Sequence, residues 1–448
     1  MSTGASISPQ ALEFFRRAIA ARMGLRVEDD GLPQLEQALA VRLRASGARS
    51  VEEYLERRFS VASELSELSR SLSVGETYFM RNRDQFNAFE ALLRARIESG
   101  ARHLRVLSAG CSSGEEPYSI AILLKETIAD LSNWNVSILA FDLNPDCIER
   151  ARAGRYRSWS LRETPPDFQR RYFSRQGDEF LLDPSIRDMV RIEARNMVDA
   201  DPAFWRLESF DVVFCRNILM YFTPQAAREA VERIAQSMSP GAYLFMGHAE
   251  NLRGISGGFH LCHTHGTFYY QKRAELSGRA PEISLPQSAV PQPAAPLPLD
   301  VSWFEAIAEA SARIRSIASA GNEADAARAA TDVPRVGDRL EQAMDLWKRE
   351  RFHEASAVLA KPTSSNRDDP DSLLLQAMLL VSRADSKNAL SVCERLLEID
   401  EFNAGAHYVK ALCQEHIGNF SEAVEHDQTA VYLDPAFAMP HLHLGHLA

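Results

Sequence analysis

The stretch Leu104-Arg-Val-Leu-Ser-Ala-Gly-Cys-Ser-Ser-Gly-Glu-Glu-Pro-Tyr118 decides how this chain folds. Its first five residues form an apolar strand, and a glycine-containing turn leads into a helix predicted over 118–128. A strand, glycine turn and helix in this order bring backbone N–H groups and a helix N-terminus close to a ligand. The stretch therefore predicts a site for a nucleotide-like cofactor.

Two carboxylates at the start of this helix narrow the choice of cofactor. Gly110 and Gly114 lie four residues apart, Glu115 and Glu116 follow, and the nicotinamide pattern G-x-G-x-x-G is absent. Carboxylates here repel a pyrophosphate but attract a ligand that carries an ammonium group. The charge pattern favours S-adenosylmethionine over a dinucleotide.

Outward from this stretch, short apolar runs alternate with helical segments from about residue 102. The alternation predicts an open, mostly parallel α/β sheet. No helix-length segment separates the last two strands, so we expect them to form an antiparallel hairpin. The predicted strands are 104–108, 136–142, 190–194, 210–215, 242–247 and 267–271, and the helices between them include 118–128, 145–153 and 224–238.

Polar residues follow two of these strands at the carboxyl edge, where ligands bind in open α/β sheets. Asp142 ends the second strand, and an acid there commonly accepts hydrogen bonds from ribose hydroxyls. An ordinary solvent-facing acid is the alternative. Arg216 and Asn217 follow strand 210–215, where they start a loop or meet the same cleft.

The first hundred residues predict a small helical domain, with helices at 9–23, 32–45, 50–59 and 62–72. This region holds 14 Arg, no Lys and 14 Asp plus Glu, so it is locally neutral. Arg42 and Arg44 are candidates for contact with an acidic partner, although a solvated helix face is the favoured explanation.

The composition excludes several classes of protein. The 448 residues are 45% hydrophobic and 25% charged, which is typical of globular proteins rather than disordered or fibrous ones. A net charge of −11 argues against a nucleic-acid binder. No apolar run is long enough for membrane insertion, and no secretory signal is evident, so we expect a cytoplasmic protein.

Six cysteines without a C-x-x-C pair predict reduced thiols and no zinc knuckle. The segment Phe259-His-Leu-Cys-His-Thr-His265 holds the densest cluster of possible metal ligands. Alternation would split its polar groups between two faces of a strand, so we expect an ordinary strand and no metal site there.

The C-terminal third predicts a linker and then a repeat domain. Six prolines fall within residues 281–298, which indicates an extended linker. Beyond it, alanines recur every 34 residues, a period typical of tetratricopeptide repeats. Two columns carry this pattern: Ala343, Ala377 and Ala411, and Ala355, Ala389 and Ala423.

Four ordered motifs resemble the CheR-type chemotaxis receptor methyltransferases. They are 74–81 (Val-Gly-Glu-Thr-Tyr-Phe-Met-Arg), 108–121, 214–222 (Phe-Cys-Arg-Asn-Ile-Leu-Met-Tyr-Phe) and 247–251 (Gly-His-Ala-Glu-Asn), and the resemblance covers about residues 10–272. It implies a helical N-terminal domain (1–98) and a doubly wound, Rossmann-like S-adenosylmethionine domain (99–274) with a β-subdomain inserted near 172–192. A Pro/Ala-rich linker (275–335) and an all-α tetratricopeptide repeat solenoid (336–448) would follow.

The resemblance also implies roles for particular residues. Glu116 would hold the methionine ammonium and Asp142 the ribose hydroxyls. The remaining cofactor-binding residues would be Thr77 and Arg81 beside the methionine portion, Asn196 and Met197 at the adenine, and Cys215 and Arg216 at the pocket floor.

The implied reaction is methylation of glutamates on the cytoplasmic domains of chemotaxis receptors. A glutamate carboxylate is already a nucleophile at neutral pH, so catalysis would depend on aligning it with the methyl group. Arg81 and Tyr221 would orient the acceptor; capping of a helix by Arg81 and packing of Tyr221 are the structural alternatives. Gly75 and Met80 depart from the usual Asn and Phe of the family, and neither change removes a charge.

Two other functions are compatible with the residues. One is an inactive methyltransferase fold that acts as a scaffold through its repeats. The other is methylation of another protein or a small carboxylate. The repeats imply a protein partner or self-association, without identifying the ligand.

Overall fold

The computed structural model describes residues 7–59, 61–73, 75–273, 351–359 and 369–447, together with Leu340, Gln342, Ala343 and Leu346. The chain divides into two compact units, one of Met1–Glu250 and Gly258–Glu275, the other of Asn251–Gly257 and Leu276–Ala448. The predicted linker over 275–335 lies outside the described residues.

The helices predicted for the first hundred residues are present. The described helices are α1 (Pro9–Met23), α2 (Leu32–Ser46), α3 (Val51–Arg57), α4 (Ala62–Leu72) and α5 (Arg83–Glu98). Ser8 caps α1 by accepting the N–H of Ala11, and Gly24 ends α1 with a φ of 72°. Their core contains an edge-to-face aromatic cluster of Phe15, Tyr54 and Phe59.

The structure corrects one expectation about this region: Arg42 is not a free surface cation. Its Nε and Nη2 donate to the two carboxylate oxygens of Glu64, each at 2.7 Å, and the Tyr54 hydroxyl donates to Glu64 at 2.7 Å. Burial on its own raises the pKa of Glu64, but the hydrogen bonds from Arg42 and Tyr54 outweigh burial and lower it. The group therefore ties α2, α3 and α4 together.

Glu64→Ala is expected to lower the free energy of unfolding of this region by about 2–3 kcal/mol, because it leaves a largely buried guanidinium and phenol unpaired. Amide exchange of α2 and α4 peptides during a urea titration measures the loss. Because folding lowers the pKa of Glu64, the stabilisation that Glu64 provides is present above its unfolded pKa of about 4.3 and is lost as the pH falls through its folded pKa.

Glu67→Ala is the matched control. Glu67 is 41% exposed and lies 3.6 Å from Arg42, so its loss should cost less than about 1 kcal/mol. Equal losses for the two variants would contradict the role given to Glu64.

The predicted α/β alternation forms a seven-stranded sheet with the order β6-β2-β1-β7-β8-β10-β9. Strands β6, β2, β1, β7 and β8 run parallel, and β10 is antiparallel to both β8 and β9. The strands are β1 (His103–Ala109), β2 (Asn135–Asp142), β6 (Val190–Ala194), β7 (Phe210–Cys215), β8 (Met238–Met246), β9 (Phe259–Thr264) and β10 (Thr267–Lys272), and the helices between them are α6 (Glu115–Thr127), α7 (Pro145–Ala153) and α10 (Pro224–Ser237).

The expectation that the last two predicted strands form a hairpin with each other is wrong about how they are connected. β10 does lie antiparallel beside β8, but β9 comes between them in sequence and forms the sheet edge. Five of the six residues of β9 are half-buried or exposed, as is common for an edge strand, so its apolar signal is weak. The possible metal ligands of 259–265 therefore lie on this strand and its turn.

The inserted β-subdomain is a three-stranded antiparallel sheet with the order β3-β5-β4. Its strands are β3 (Arg155–Arg157), β4 (Phe173–Gln176) and β5 (Glu179–Leu182), with α8 (Pro166–Tyr172) and α9 (Pro184–Arg187) beside them. The subdomain therefore begins about 17 residues earlier than the predicted start at 172, because β3 directly follows α7.

The described part of the second unit consists of successive packed helices. Helices Phe352–Leu359, Ser386–Ile399 and Phe420–Leu433 begin 34 residues apart, as do Pro370–Val381, Ala404–His416 and Ala438–Leu447. All six alanines of the two predicted columns are fully buried, so small residues allow close helix packing, as expected for an α-helical repeat solenoid. Within the described ranges, no helix is both long and apolar enough to cross a bilayer.

Candidate functional site

A cavity opens at the carboxyl ends of β1, β2 and β7, where the strand order reverses direction. It holds about 1090 Å³ of empty space with its mouth included, enough for a nucleoside-sized ligand. Of the residues predicted from the sequence, those in its wall are Thr77, Arg81, Glu116, Asp142, Asn196, Met197, Arg216, Asn217 and Tyr221.

The glycine turn after β1 forms the floor of the cavity. Gly110 has a φ of 72°, and a Cβ there would lie 2.6 Å from the Ile218 side chain. Gly114 has a φ of 92°, and a Cβ there would lie 2.9 Å from both Tyr118 and Ala151. Side chains at these two places would be strained and would clash, so the turn requires glycine.

Asp142 lies at the end of β2 and is held by the backbone. One carboxylate oxygen accepts the N–H of Ser112 at 2.9 Å, and the other accepts the N–H of Asn144 at 2.9 Å. Burial raises the pKa of Asp142, although these hydrogen bonds oppose the rise. The carboxylate is thus oriented against the glycine turn, with its remaining lone pairs able to accept from a ligand.

Glu116 and Arg216 form a buried pair at the base of the cavity. The carboxylate of Glu116 accepts from the Ser108 hydroxyl at 2.7 Å and lies 3.4 Å from Nη1 of Arg216. Burial raises the pKa of Glu116, and the charge of Arg216 opposes that rise. Nη2 of Arg216 also donates at 2.6 Å to the carbonyl of Arg81 and to the side chain of Asn82.

The segment before α5 forms another wall and includes a residue that the sequence analysis did not single out. Arg81 donates to the Glu76 carbonyl at 3.0 Å, and its guanidinium lies 5.7 Å from the ring centre of Tyr78. The guanidinium of Arg162 stacks on the same ring, 3.6 Å from its centre. Tyr78 lines the cavity beside Thr77. Its place within the motif 74–81 was the signal by which the sequence could have indicated it as a cavity residue.

Tyr221 lies at the accessible side of the cavity. Tyr221 is 38% exposed, and its backbone carbonyl accepts the N–H of Arg26 at 2.8 Å. Leu25 and Phe222 form an isolated antiparallel bridge beside it. The turn after α1 therefore holds the loop that presents Tyr221.

Asn196 and Met197, predicted to border the adenine, line the cavity, whereas Cys215, predicted at the pocket floor, does not. Asn196 donates to the Arg22 carbonyl at 2.8 Å, which ties the end of α1 to this wall, and Met197 is almost fully buried. Cys215 is not part of the lining. It is fully buried at the end of β7, between Ala109 and Met246 of the neighbouring strands.

The arrangement combines carboxylates for a cationic, hydroxylated ligand with arginines for an anionic one. Asp142 and Glu116 lie in the wall near the glycine turn, and Arg81 and Arg216 lie next to them. The Nε–H of Arg216 is buried without a hydrogen-bond partner among the described residues, and a ligand carboxylate would satisfy it. These donors and acceptors fit the amino-acid and ribose portions of S-adenosylmethionine.

Comparison with known proteins agrees with this geometry. Residues 75–268 match the family described as CheR methyltransferase, SAM binding domain. The chain is 32% identical over 255 residues to chemotaxis protein methyltransferase 2 of Vibrio cholerae, covering 55% of this chain and 87% of that protein. It is 28% identical over 447 residues to the probable biofilm formation methyltransferase WspC of Pseudomonas putida, covering 97% of this chain and 93% of that protein.

A solved structure, the Arabidopsis OM64 TPR domain, is 16% identical over 24% of this chain and 90% of its own, with a TM-score of 0.23. The match to the SAM binding domain spans 75–268, which includes most of the residues that line the cavity. The chain therefore belongs to the CheR family of S-adenosylmethionine-dependent methyltransferases.

Proposed function

We propose that this protein methylates glutamate side chains on the cytoplasmic domains of chemotaxis receptors, giving glutamyl methyl esters. The observation that carries the proposal is the cavity itself. It joins two half-buried carboxylates to Arg81 and to Tyr221, which is exposed enough for a protein substrate to reach. The names of the chemotaxis methyltransferase relatives support a receptor as the substrate.

In this proposal, Glu116 holds the methionine ammonium and Asp142 holds the ribose hydroxyls. Asn196 and Met197 border the adenine, and Thr77 lies beside the methionine portion. Cys215 contributes through its place in the strand, because its side chain does not reach the cavity. Bound S-adenosylmethionine supplies an electrophilic methyl group on a positively charged sulfur.

The protein's catalytic task is then mainly positioning. The acceptor carboxylate is ionised at neutral pH, so no strong general base is required. Arg81 and the Tyr221 hydroxyl donate hydrogen bonds that hold one carboxylate oxygen in line with the methyl group. Alignment of this kind contributes several kcal/mol to lowering a reaction barrier.

The affinity for S-adenosylhomocysteine is expected to fall as the pH is lowered, and the fall should begin at a higher pH than the titration of exposed carboxyl groups. Burial raises the pKa of Glu116 and of Asp142, so both take up protons at a higher pH than exposed carboxyl groups. A protonated Glu116 no longer attracts the ligand ammonium. Calorimetric titration over a series of decreasing pH values measures the effect. Glu116→Gln should bind S-adenosylhomocysteine more weakly than the wild type, and its affinity should depend less on pH. Tighter binding at low pH would contradict the assignment.

The direct test is methylation of purified cytoplasmic receptor fragments from the source organism with S-[methyl-³H]adenosylmethionine. Base-labile, volatile radioactivity that disappears when the modified glutamates are replaced by alanine is the expected result. S-adenosylhomocysteine binding without methylation of any fragment would favour a scaffold. Base-labile label on other proteins or small carboxylates would identify a different acceptor.

A second candidate is methylation of a receptor that controls biofilm formation. The WspC relatives match over 97% of this chain, whereas the Vibrio cholerae relative matches over 55%. Deletion of the gene would then alter biofilm formation and leave swimming chemotaxis intact. In either case we propose that the enzyme acts in the cytoplasm and that its repeats bind a protein partner or a second copy of the chain.

A further inference from the structure

A single buried carboxylate, that of Glu250, connects two loops at the carboxyl edge of the sheet. One of its oxygens accepts the N–H of Asn217 at 2.6 Å and that of Gly247 at 2.8 Å. The other accepts the N–H of Ile218 at 2.9 Å and that of Met220 at 3.1 Å. Glu250 is 5% exposed, so these charge-assisted bonds lie away from solvent.

The backbone around Glu250 is shaped for this contact. Asn217 has a φ of 57°, an uncommon conformation that turns successive N–H groups toward one point. A Cβ at Gly247 would lie 2.7 Å from both the Glu250 carboxylate and the Asn217 side chain. Glycine at 247 thus allows the close approach of the two loops.

The loop held by Glu250 forms part of the cavity. Asn217, Ile218 and Tyr221 all belong to its lining. The Ile218 side chain packs against the glycine turn at Gly110, and the Tyr221 carbonyl accepts from Arg26. Glu250 therefore holds one end of the Asn217–Tyr221 loop, and the turn after α1 holds the other.

We propose that Glu250 is a positioning residue for methyl transfer, which sets the place of Tyr221 relative to the acceptor without touching substrate or cofactor. This inference rests on the function proposed above. The chemistry requires a carboxylate: its two oxygens offer about four lone pairs to four N–H groups, whereas a glutamine amide turns two of its own donors toward them. Glutamine in its place would release the loop while keeping the size of the side chain.

The test compares Glu250→Gln with Glu232→Gln, a change of an exposed glutamate on α10, in the full-length protein. We expect Glu250→Gln to lower kcat for receptor fragments about 100-fold, as misplacement of a catalytic group by about 1 Å does, with KM changed less than about threefold. The dissociation constant of S-adenosylhomocysteine should also stay within about threefold. Amide exchange in peptides that cover 216–222 should rise about tenfold, and Glu232→Gln should change none of these quantities.

Glu250→Asp provides a rescue variant, because it keeps the charge and all acceptors on a shorter side chain. It should recover at least part of the lost kcat and of the exchange protection, and it also carries the test if the glutamine variant does not fold. A wild-type kcat in Glu250→Gln, or unchanged exchange over 216–222, would overturn the inference. If the wild type methylates no receptor fragment, the proposed function fails, while the exchange and S-adenosylhomocysteine measurements still decide whether Glu250 positions the loop.

Discussion

Asp142→Ala is expected to weaken S-adenosylhomocysteine binding about 100-fold or more. A carboxylate that accepts two ribose hydroxyls contributes about 1.5–3 kcal/mol per hydrogen bond, and about 1.4 kcal/mol corresponds to a factor of ten. The substitution also removes the acceptor of the Ser112 and Asn144 N–H groups, which loosens the glycine turn. Isothermal titration calorimetry of the full-length variant measures the change.

Asp130→Ala is the matched control for this experiment. Asp130 is an exposed aspartate between α6 and β2 that does not line the cavity. Its replacement should leave the dissociation constant unchanged. If both variants bind like the wild type, Asp142 does not hold the ribose, and the cofactor pose proposed above is wrong.

Arg81→Ala is expected to lower kcat about 100-fold, because the acceptor carboxylate loses a donor that holds it in line with the methyl group. Arg81 lines the cavity next to Tyr78 and Arg216, where its guanidinium can meet an acceptor carboxylate. Affinity for S-adenosylhomocysteine should fall much less, by under about tenfold. Initial rates of receptor methylation at saturating cofactor separate the two effects.

Arg83→Ala serves as the control, because Arg83 is exposed at the start of α5 and is not in the cavity wall. Arg81→Lys should retain part of the activity, since it keeps the charge but loses the planar fork of donors. A kcat for Arg81→Ala equal to that of Arg83→Ala would remove Arg81 from the catalytic step and leave it as a structural residue.

Local sequence was sufficient wherever the physical cause is local. The apolar period predicted α1 and α4 with their observed bounds, and short apolar runs predicted the parallel strands. The glycines at 110 and 114 follow from a turn that needs positive φ. The 34-residue alanine columns predicted buried positions in the second unit, because a repeated sequence repeats its packing.

Sequence patterns were less informative where a side chain's role depends on a distant partner. Arg42 has the sequence context of a surface arginine, yet its guanidinium pairs with Glu64, whose carboxylate also accepts from the Tyr54 hydroxyl. Cys215 belongs to a motif whose neighbour Arg216 lines the cavity, but the pleat of β7 keeps its own side chain inside the sheet.

The sequence by itself predicted the parallel strands, the helices between them and the cofactor class, because these depend on local periodicity, turns and charge, and the resemblance to the CheR-type methyltransferases implied most of the cavity wall. Only the tertiary structure decided which groups meet. Glu116 meets Arg216 and Glu250 meets Asn217 across 100 and 33 residues of chain, respectively. Such contacts arise when parallel strands bring their carboxyl ends to one edge of the sheet, and no local pattern encodes which loop residues then face each other.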